Sequence, residues 1–188
     1  MTEFDPVLIS ATLERHGVRF IVIGGIAASI QGAGWPTEDL DIVVHPSRSN
    51  LECLATALNV LDARYEGFYR APIRPTLERL MDLSGPQLLR TRAGRLDVMK
   101  EVAGMTFDQL TQDSTKASVG GVPVHTASIS ALIRLKEFAG RKKDEAGLRE
   151  LRAALNRGNR TVTETAWKSD DVDLSDRVDE ILYGADHE

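Results

Sequence analysis

Residues 20–44 read FIVIGGIAASIQGAGWPTEDLDIVV, and the order of features in this stretch decides the fold. An apolar run from Phe20 to Ile23 stops at Gly24-Gly25, a helix-compatible segment follows over Ile26 to Gln31, and a Gly/Pro break spans Gly32 to Pro36. A second apolar run then carries Asp39 and Asp41. Strand side chains alternate with period two, so these two carboxylates share one face while Leu40 and Ile42 take the other. Two like charges on neighbouring same-face positions repel, and burying either without a partner is costly. A divalent cation removes that conflict, and hard oxygen ligands suit Mg²⁺. The glycines supply the other half: a strand that runs into Gly-Gly and then a helix brings bare backbone N–H groups toward an anion, with no Cβ in the way. Taken singly, a D-x-D is also the mark of a solvated strand end, and Gly-Gly after a strand is also a plain turn. Their order around one short helix is what points to a phosphate and metal site.

The remaining chain supplies a domain around this stretch. With 188 residues, 42% hydrophobic and 27% charged, it is long enough for one well-buried domain and a small helical appendage. The formal charge of −5 argues against a generic nucleic-acid coat while leaving room for a local basic groove. Cys53 is the sole cysteine, which excludes a disulfide framework and a cysteine-rich zinc site, and it is expected as a buried structural thiol. The apolar runs fall far short of a membrane span and no leader-like stretch precedes Asp5, so a cytoplasmic protein without a membrane partner is expected.

Asp5-Pro6 predicts an N-cap and first helical residue, with Val7, Leu8, Ile9 and Leu13 as the apolar stripe and a stop near Gly17. Arg19 to Ile23 predicts a buried central strand. Thr37 precedes Asp39 by two, so its hydroxyl is either directed at the same cavity or a turn cap. Ser47 is expected to cap a helix running to about Leu61, with Leu51, Leu54, Leu58 and Leu61 inward. Asp62 to Gly85 reads as an irregular surface excursion in which Arg64, Arg70, Arg74 and Arg79 are either solvated or steer a phosphate-bearing substrate.

Gln87 to Met99 predicts a hairpin turning near Ala93-Gly94, and Asp97 breaks its otherwise apolar second strand. That carboxylate is either paired with a neighbouring arginine or the third member of the acidic set. Thr106 to Leu110 suggests a short helix, and Lys116 to His125 a hairpin about Gly120-Gly121. Ser128 caps a helix to Ala139 with Ile129, Leu132, Ile133 and Leu135 inward and Lys136 in its last turns. Asp144 then opens a helix with Leu148, Leu151 and Leu155 as its stripe, and beyond Arg160 the composition turns acidic.

The succession of strand, Gly24-Gly25, helix, Asp39-x-Asp41 strand and later Asp97 strand resembles the minimal nucleotidyltransferases of the DNA polymerase β superfamily. The segment SISALIRLKEFAGRKKDEAGLREL resembles the AbiEii-type branch, toxins of bacterial toxin–antitoxin pairs, through Lys136, Arg141, Lys143 and Asp144. The resemblance covers roughly Val18 to Leu155. It implies an α+β nucleotidyltransferase fold, a small mixed twisted sheet flanked by helices, with C-terminal helices. It further implies a catalytic core over 1–126, a helical extension over 127–160 completing the nucleotide site, and an acidic segment over 161–188.

The implied activity moves a nucleoside monophosphate from an NTP, such as ATP, to an acceptor hydroxyl and releases pyrophosphate. Asp39, Asp41 and Asp97 would hold two Mg²⁺ ions. Gly24, Gly25 and Thr37 would face the nucleotide, Lys136 with Arg141 would neutralise its phosphates, and Asp144 would either orient Lys136 or cap its own helix. The implied acceptor is tRNA or protein, with a cognate antitoxin as partner; an aminoglycoside-type small molecule and a silent nucleotide-binding module are the alternatives. Where many relatives carry an arginine before the Thr-x-Asp-x-Asp unit, this chain has Trp35-Pro36, with Trp35 either stacking on a base or packed in the loop.

Overall fold

The computed structural model describes residues 4–34, 36–67, 72–82, 85–140 and 144–157. Trp35, Arg70, Arg141, Lys143 and the acidic segment 161–188 lie outside them.

Local signals set most of the elements. Asp5 accepts the Leu8 N–H at 2.9 Å and Pro6 occupies the first turn of α1 (Pro6–Arg15), so two backbone donors that a helix start leaves orphaned are accounted for. Strand β1 (Phe20–Ile23) is buried at every position, as a central strand must be. Helix α2 (Gly24–Ile30) begins on the glycines themselves rather than at Ile26. Strand β2 (Asp39–Val44) follows, and then α3 (Arg48–Val60), whose stripe of Leu51, Leu54 and Leu58 is buried. Ser47 stands at the N-cap of α3 without a side-chain cap bond; its hydroxyl is engaged with His45 Nδ1 at 2.9 Å instead.

Among the described residues, the stretch expected to be irregular contains two elements, β3 (Arg64–Tyr65) and α4 (Leu77–Met81), the latter capped by the Thr76 hydroxyl. Both are too short for a periodic pattern to reveal them. The hairpin of β4 (Gln87–Thr91) and β5 (Gly94–Met99) turns at Arg92-Ala93. A small hairpin, β6 (Glu101–Val102) with β7 (Met105–Thr106), precedes α5 (Phe107–Gln112), which starts in a capping box between Thr106 and Gln109. Strands β8 (Ser114–Val119) and β9 (Val122–Ala127) form the expected second hairpin.

Helix α6 (Ile129–Ala139) is capped by Ser128 and ended by Gly140 in the left-handed region, and α7 (Glu145–Asn156) packs on it. Ile129, Leu132 and Leu135 are buried; Ile133 is half-buried. On α7, Leu151 and Ala154 are buried, whereas Leu155 is 46% exposed, a correction to the expected stripe. Cys53 is half-buried against the core rather than fully enclosed.

Seven strands form one mixed sheet in the order β3-β4-β5-β2-β1-β9-β8. β1 is antiparallel to β2 and parallel to β9, and β2 is parallel to β5, so the two hairpins flank a central β1-β2 pair. Leu40 and Ile42 of β2, Leu96 and Val98 of β5 and Leu89 of β4 share one face and are fully buried. They belong to one continuous core with α1, α3 and the inward side of α6. The opposite face carries the polar residues of the same strands. The expected α+β architecture, a mixed sheet flanked by helices, is the one observed.

Candidate active site

Register puts the acidic residues together. In the parallel β2–β5 pair Asp39 lies opposite Arg95 and Asp41 opposite Asp97. Directly opposed residues of neighbouring strands point to the same face, so Asp39, Asp41, Arg95 and Asp97 share the polar face of the sheet. Thr37 Oγ1 donates to Asp39 Oδ1 at 2.6 Å, so the hydroxyl fixes the first carboxylate of the D-x-D.

The two glycines are needed because these side chains lie against them. A Cβ on Gly24 would stand 1.9 Å from Asp41 Oδ2, and Gly24 has φ +66, a conformation that side-chain-bearing residues avoid. A Cβ on Gly25 would stand 2.7 Å from the Cβ of Thr37. The Gly-Gly and Thr-x-Asp-x-Asp motifs, separated in sequence by the α2 helix, therefore meet side by side. Replacing Gly24 by alanine is expected to cost about 1–2 kcal/mol through its left-handed backbone. The transfer rate is expected to fall much further, about 10²-fold, because Asp41 must turn away. Melting curves set beside transfer rates check the split; equal losses would mean that Asp41's position is immaterial.

Crowding and burial weaken these carboxylic acids. Burial, with Asp39 and Asp97 nearby, pushes the Asp41 carboxyl up to about 7, opposed by the cations of Lys136 and Arg95. Burial, then Asp39, pushes Asp97 up to about 6, with Arg95 opposing and Glu66 adding to it. Asp97 Oδ1 is buried without a hydrogen-bond partner. Buried, like-charged carboxylates with an unsatisfied oxygen form a donor set that suits a hard divalent cation. As the side chains stand, no three acidic, histidine or cysteine groups among the described residues close into a ready metal cluster. The register that faces these carboxylates together is set by the backbone pairing of β2 with β5.

Lys136 reaches the site from α6. Its Nζ donates to Asp144 Oδ1 at 3.2 Å, and the two side chains are only 20% and 16% exposed. Asp144 makes no side-chain cap bond to α7; its carboxylate lies on the Lys136 ammonium. Glu66 and Arg95 were not singled out from the sequence. Glu66 ion-pairs with both Arg90 and Arg95, at 3.1 and 3.2 Å. The available signal was the spacing: Arg95 precedes Asp97 by two in a strand and must share its face. A hollow lined by Arg48, Leu77, Glu78, Met81 and Asp82 lies between α3 and α4 and includes none of these residues.

No family model matches this chain, and no curated protein does. Solved structures do. The solution structure of the antibiotic-resistance factor ANT(2'')-Ia is similar with a TM-score of 0.55 at 15% identity, over 80% of this chain and 80% of that one. The crystal structure of ANT(2'')-Ia in complex with adenylyl-2''-tobramycin is similar with a TM-score of 0.54 at 16% identity, over 78% of this chain and 85% of that one. At such identities the likeness establishes the fold. The sheet that carries Asp39, Asp41 and Asp97 is thus a nucleotidyltransferase fold.

Proposed function

We propose that this chain is a magnesium-dependent nucleotidyltransferase that moves a nucleoside monophosphate from an NTP to an acceptor hydroxyl. The observation that carries the reading is the register of β2 against β5, which sets Asp41 opposite Asp97 on the face where Gly24 begins α2. Asp39, Asp41 and Asp97 would hold two Mg²⁺ ions. When bound, such ions lower the pKa of a hydroxyl and stabilise charge at the attacking and leaving oxygens of an in-line displacement.

The protein's own groups do the rest. Thr37 holds Asp39 in place, Gly24 and Gly25 make room for the Asp41 and Thr37 side chains, and the backbone N–H groups at the start of α2 are proposed to meet the triphosphate. Lys136, oriented by Asp144, neutralises phosphate charge in a half-buried site where a cation acts more strongly than in water. Arg141 is proposed to assist it. Asp97 faces the acceptor, whose oxygen bonds to the α-phosphorus as the bond to pyrophosphate breaks, and its carboxylate is the base placed to receive the proton. Helices α6 and α7, within the 127–160 extension, complete the nucleotide side.

The acceptor is proposed to be tRNA, as expected of the AbiEii-type resemblance, with an antitoxin protein as the partner that restrains the activity. A second reading, a small-molecule acceptor, is favoured by the likeness to ANT(2'')-Ia, a resistance factor solved with an adenylylated tobramycin. No helix among the described residues is long and apolar enough to cross a membrane.

The test is direct: incubate the protein with Mg²⁺ and each α-labelled NTP in turn, offering total tRNA, cellular protein or tobramycin. Label on tRNA is the expected result. Label on tobramycin alone would establish the second reading, and no transfer to any acceptor would overturn both.

A further inference from the structure

Three arginines stand in one transverse row beside the acidic residues. Arg64 of β3 lies opposite Arg90 of β4, Arg90 opposite Arg95 of β5, and Arg95 opposite Asp39 of β2. Every step is a directly opposed pair, so all four side chains share the face that bears Asp41 and Asp97. Like charges directly opposite one another across strands are unfavourable, and two such steps follow in succession here.

Arg95 is faced by Asp39 and Asp97 as well as by Glu66, whereas the compensation of Arg64 and Arg90 comes from carboxylates that they share. Glu66 serves both Arg90 and Arg95, and Asp62 serves both Arg64 and Arg74. Each carboxylate is thus divided between two guanidinium groups. The Arg64, Arg90 and Arg95 side chains are 37%, 46% and 34% exposed, so the row is open to a ligand. Next to it, Leu88 lies opposite Asp97 and is 43% exposed, which continues the open floor toward the acidic residues.

We propose that this row is the acceptor-side binding track, and that its ligand is the phosphodiester backbone of a single-stranded RNA end whose terminal hydroxyl is delivered to Asp97. The assignment rests on the nucleotidyltransferase reading and deepens it by naming the surface that grips the acceptor and the part of the acceptor that it grips. Gly24, Gly25 and Lys136 take up one flank of the carboxylates for the triphosphate, so an acceptor must approach from the other flank, across β5, β4 and β3 toward the sheet edge. Guanidinium groups grip phosphate oxygens in a fork, and phosphates repeat along a strand as arginines repeat along this row. A polycationic aminoglycoside would be repelled by the same row.

The test measures binding apart from transfer. Anisotropy of a fluorescent 12-nucleotide single-stranded RNA is read in EDTA across a salt series, alongside binding of a fluorescent ATP analogue. For the double variant R64Q/R90Q, RNA affinity is expected to fall about tenfold or more, with a salt slope shallower by about 1.4, the amount two lost single-strand phosphate contacts remove. ATP-analogue binding is expected to be unchanged. The charge-preserving R64K/R90K is expected to keep most of the affinity and slope, which also guards against loss of folding as the cause.

Unchanged RNA binding in R64Q/R90Q would overturn the proposal, as would equal losses for RNA and the ATP analogue, since the row would then serve the nucleotide. Tobramycin binding in place of RNA would overturn it too. If the D97N variant binds RNA while no NTP is ever transferred by the wild type, the track stands and the reading of the carboxylates as a transfer site fails.

Discussion

Replacing Asp41 by asparagine is expected to abolish nucleotide transfer, by about 10³-fold or more, and to make the metal-free protein more stable at pH 8. Both effects have one cause. Asp41 is buried beside Asp39 and Asp97, and this raises its carboxyl from the usual 3.8 to about 7. Holding it ionised in the folded state therefore costs on the order of 2–4 kcal/mol. Asparagine keeps the shape and removes the charge.

The sign with pH follows. Below about 3.8 the carboxyl is protonated in folded and unfolded chains alike. Between 3.8 and about 7 the unfolded chain releases the proton while the folded one retains it, so stability falls as pH rises across that window and levels off above it. Asp97, raised to about 6, acts in the same direction over a narrower window. In EDTA, the wild type should thus melt at higher temperature at pH 5 than at pH 8, as far as these two groups decide it, and D41N should flatten the difference. Mg²⁺ should stabilise the wild type more at pH 8 than at pH 5, because ligation needs deprotonated carboxylates. Melting curves at both pH values, with EDTA and with Mg²⁺, check this. A D41N protein that is less stable than wild type at pH 8 would show that Asp41 is a structural residue, and one that still transfers nucleotide would show that Asp41 is not part of the transfer site.

Lys136→Met is expected to lower kcat/KM for the NTP about 10²-fold, with most of the change in kcat if the ammonium acts on charge that develops during displacement. It should also push the Asp41 carboxyl higher still, since the Lys136 cation opposes that rise. Asp144→Asn tests the positioning role. It removes the charge that holds the Lys136 ammonium at 3.2 Å but leaves the ammonium itself, so a smaller loss of about tenfold is expected. Steady-state kinetics of both variants decide the matter. An Asp144→Asn loss equal to that of Lys136→Met, accompanied by a lowered melting temperature, would mean that the pair chiefly ties α7 to α6.

How much of this was legible in the chain itself differs from residue to residue. Thr37, Asp39 and Asp41 lie within five positions of one another, and their mutual geometry follows from strand periodicity and one turn. Gly24 and Gly25 were legible as a break, though the reason for both is steric: Asp41 and Thr37 pack against the places where their Cβ atoms would stand. Asp97 was an anomaly in an apolar strand, explicable equally by a partner arginine. Arg64, in a stretch read as irregular, turned out to stand on a strand in line with Arg90, Arg95 and Asp39. A two-residue strand leaves no periodic trace, and an exposed arginine looks the same in sequence whether it faces water or a substrate.

By itself, the sequence determined what local forces control: the caps of α1 and α6, the turns of both hairpins, the buried character of β1, and the shared face of Asp39 and Asp41. These depend on backbone geometry and hydrogen bonds within a few residues. Only the tertiary structure decided that β5 lies parallel beside β2 with Asp97 opposite Asp41, that β3 and β4 extend the same face with arginines, and that Asp144 turns to Lys136 instead of capping α7. Those pairings join segments far apart along the chain, and they are chosen by which apolar faces bury together, a property of the whole core that no short stretch carries.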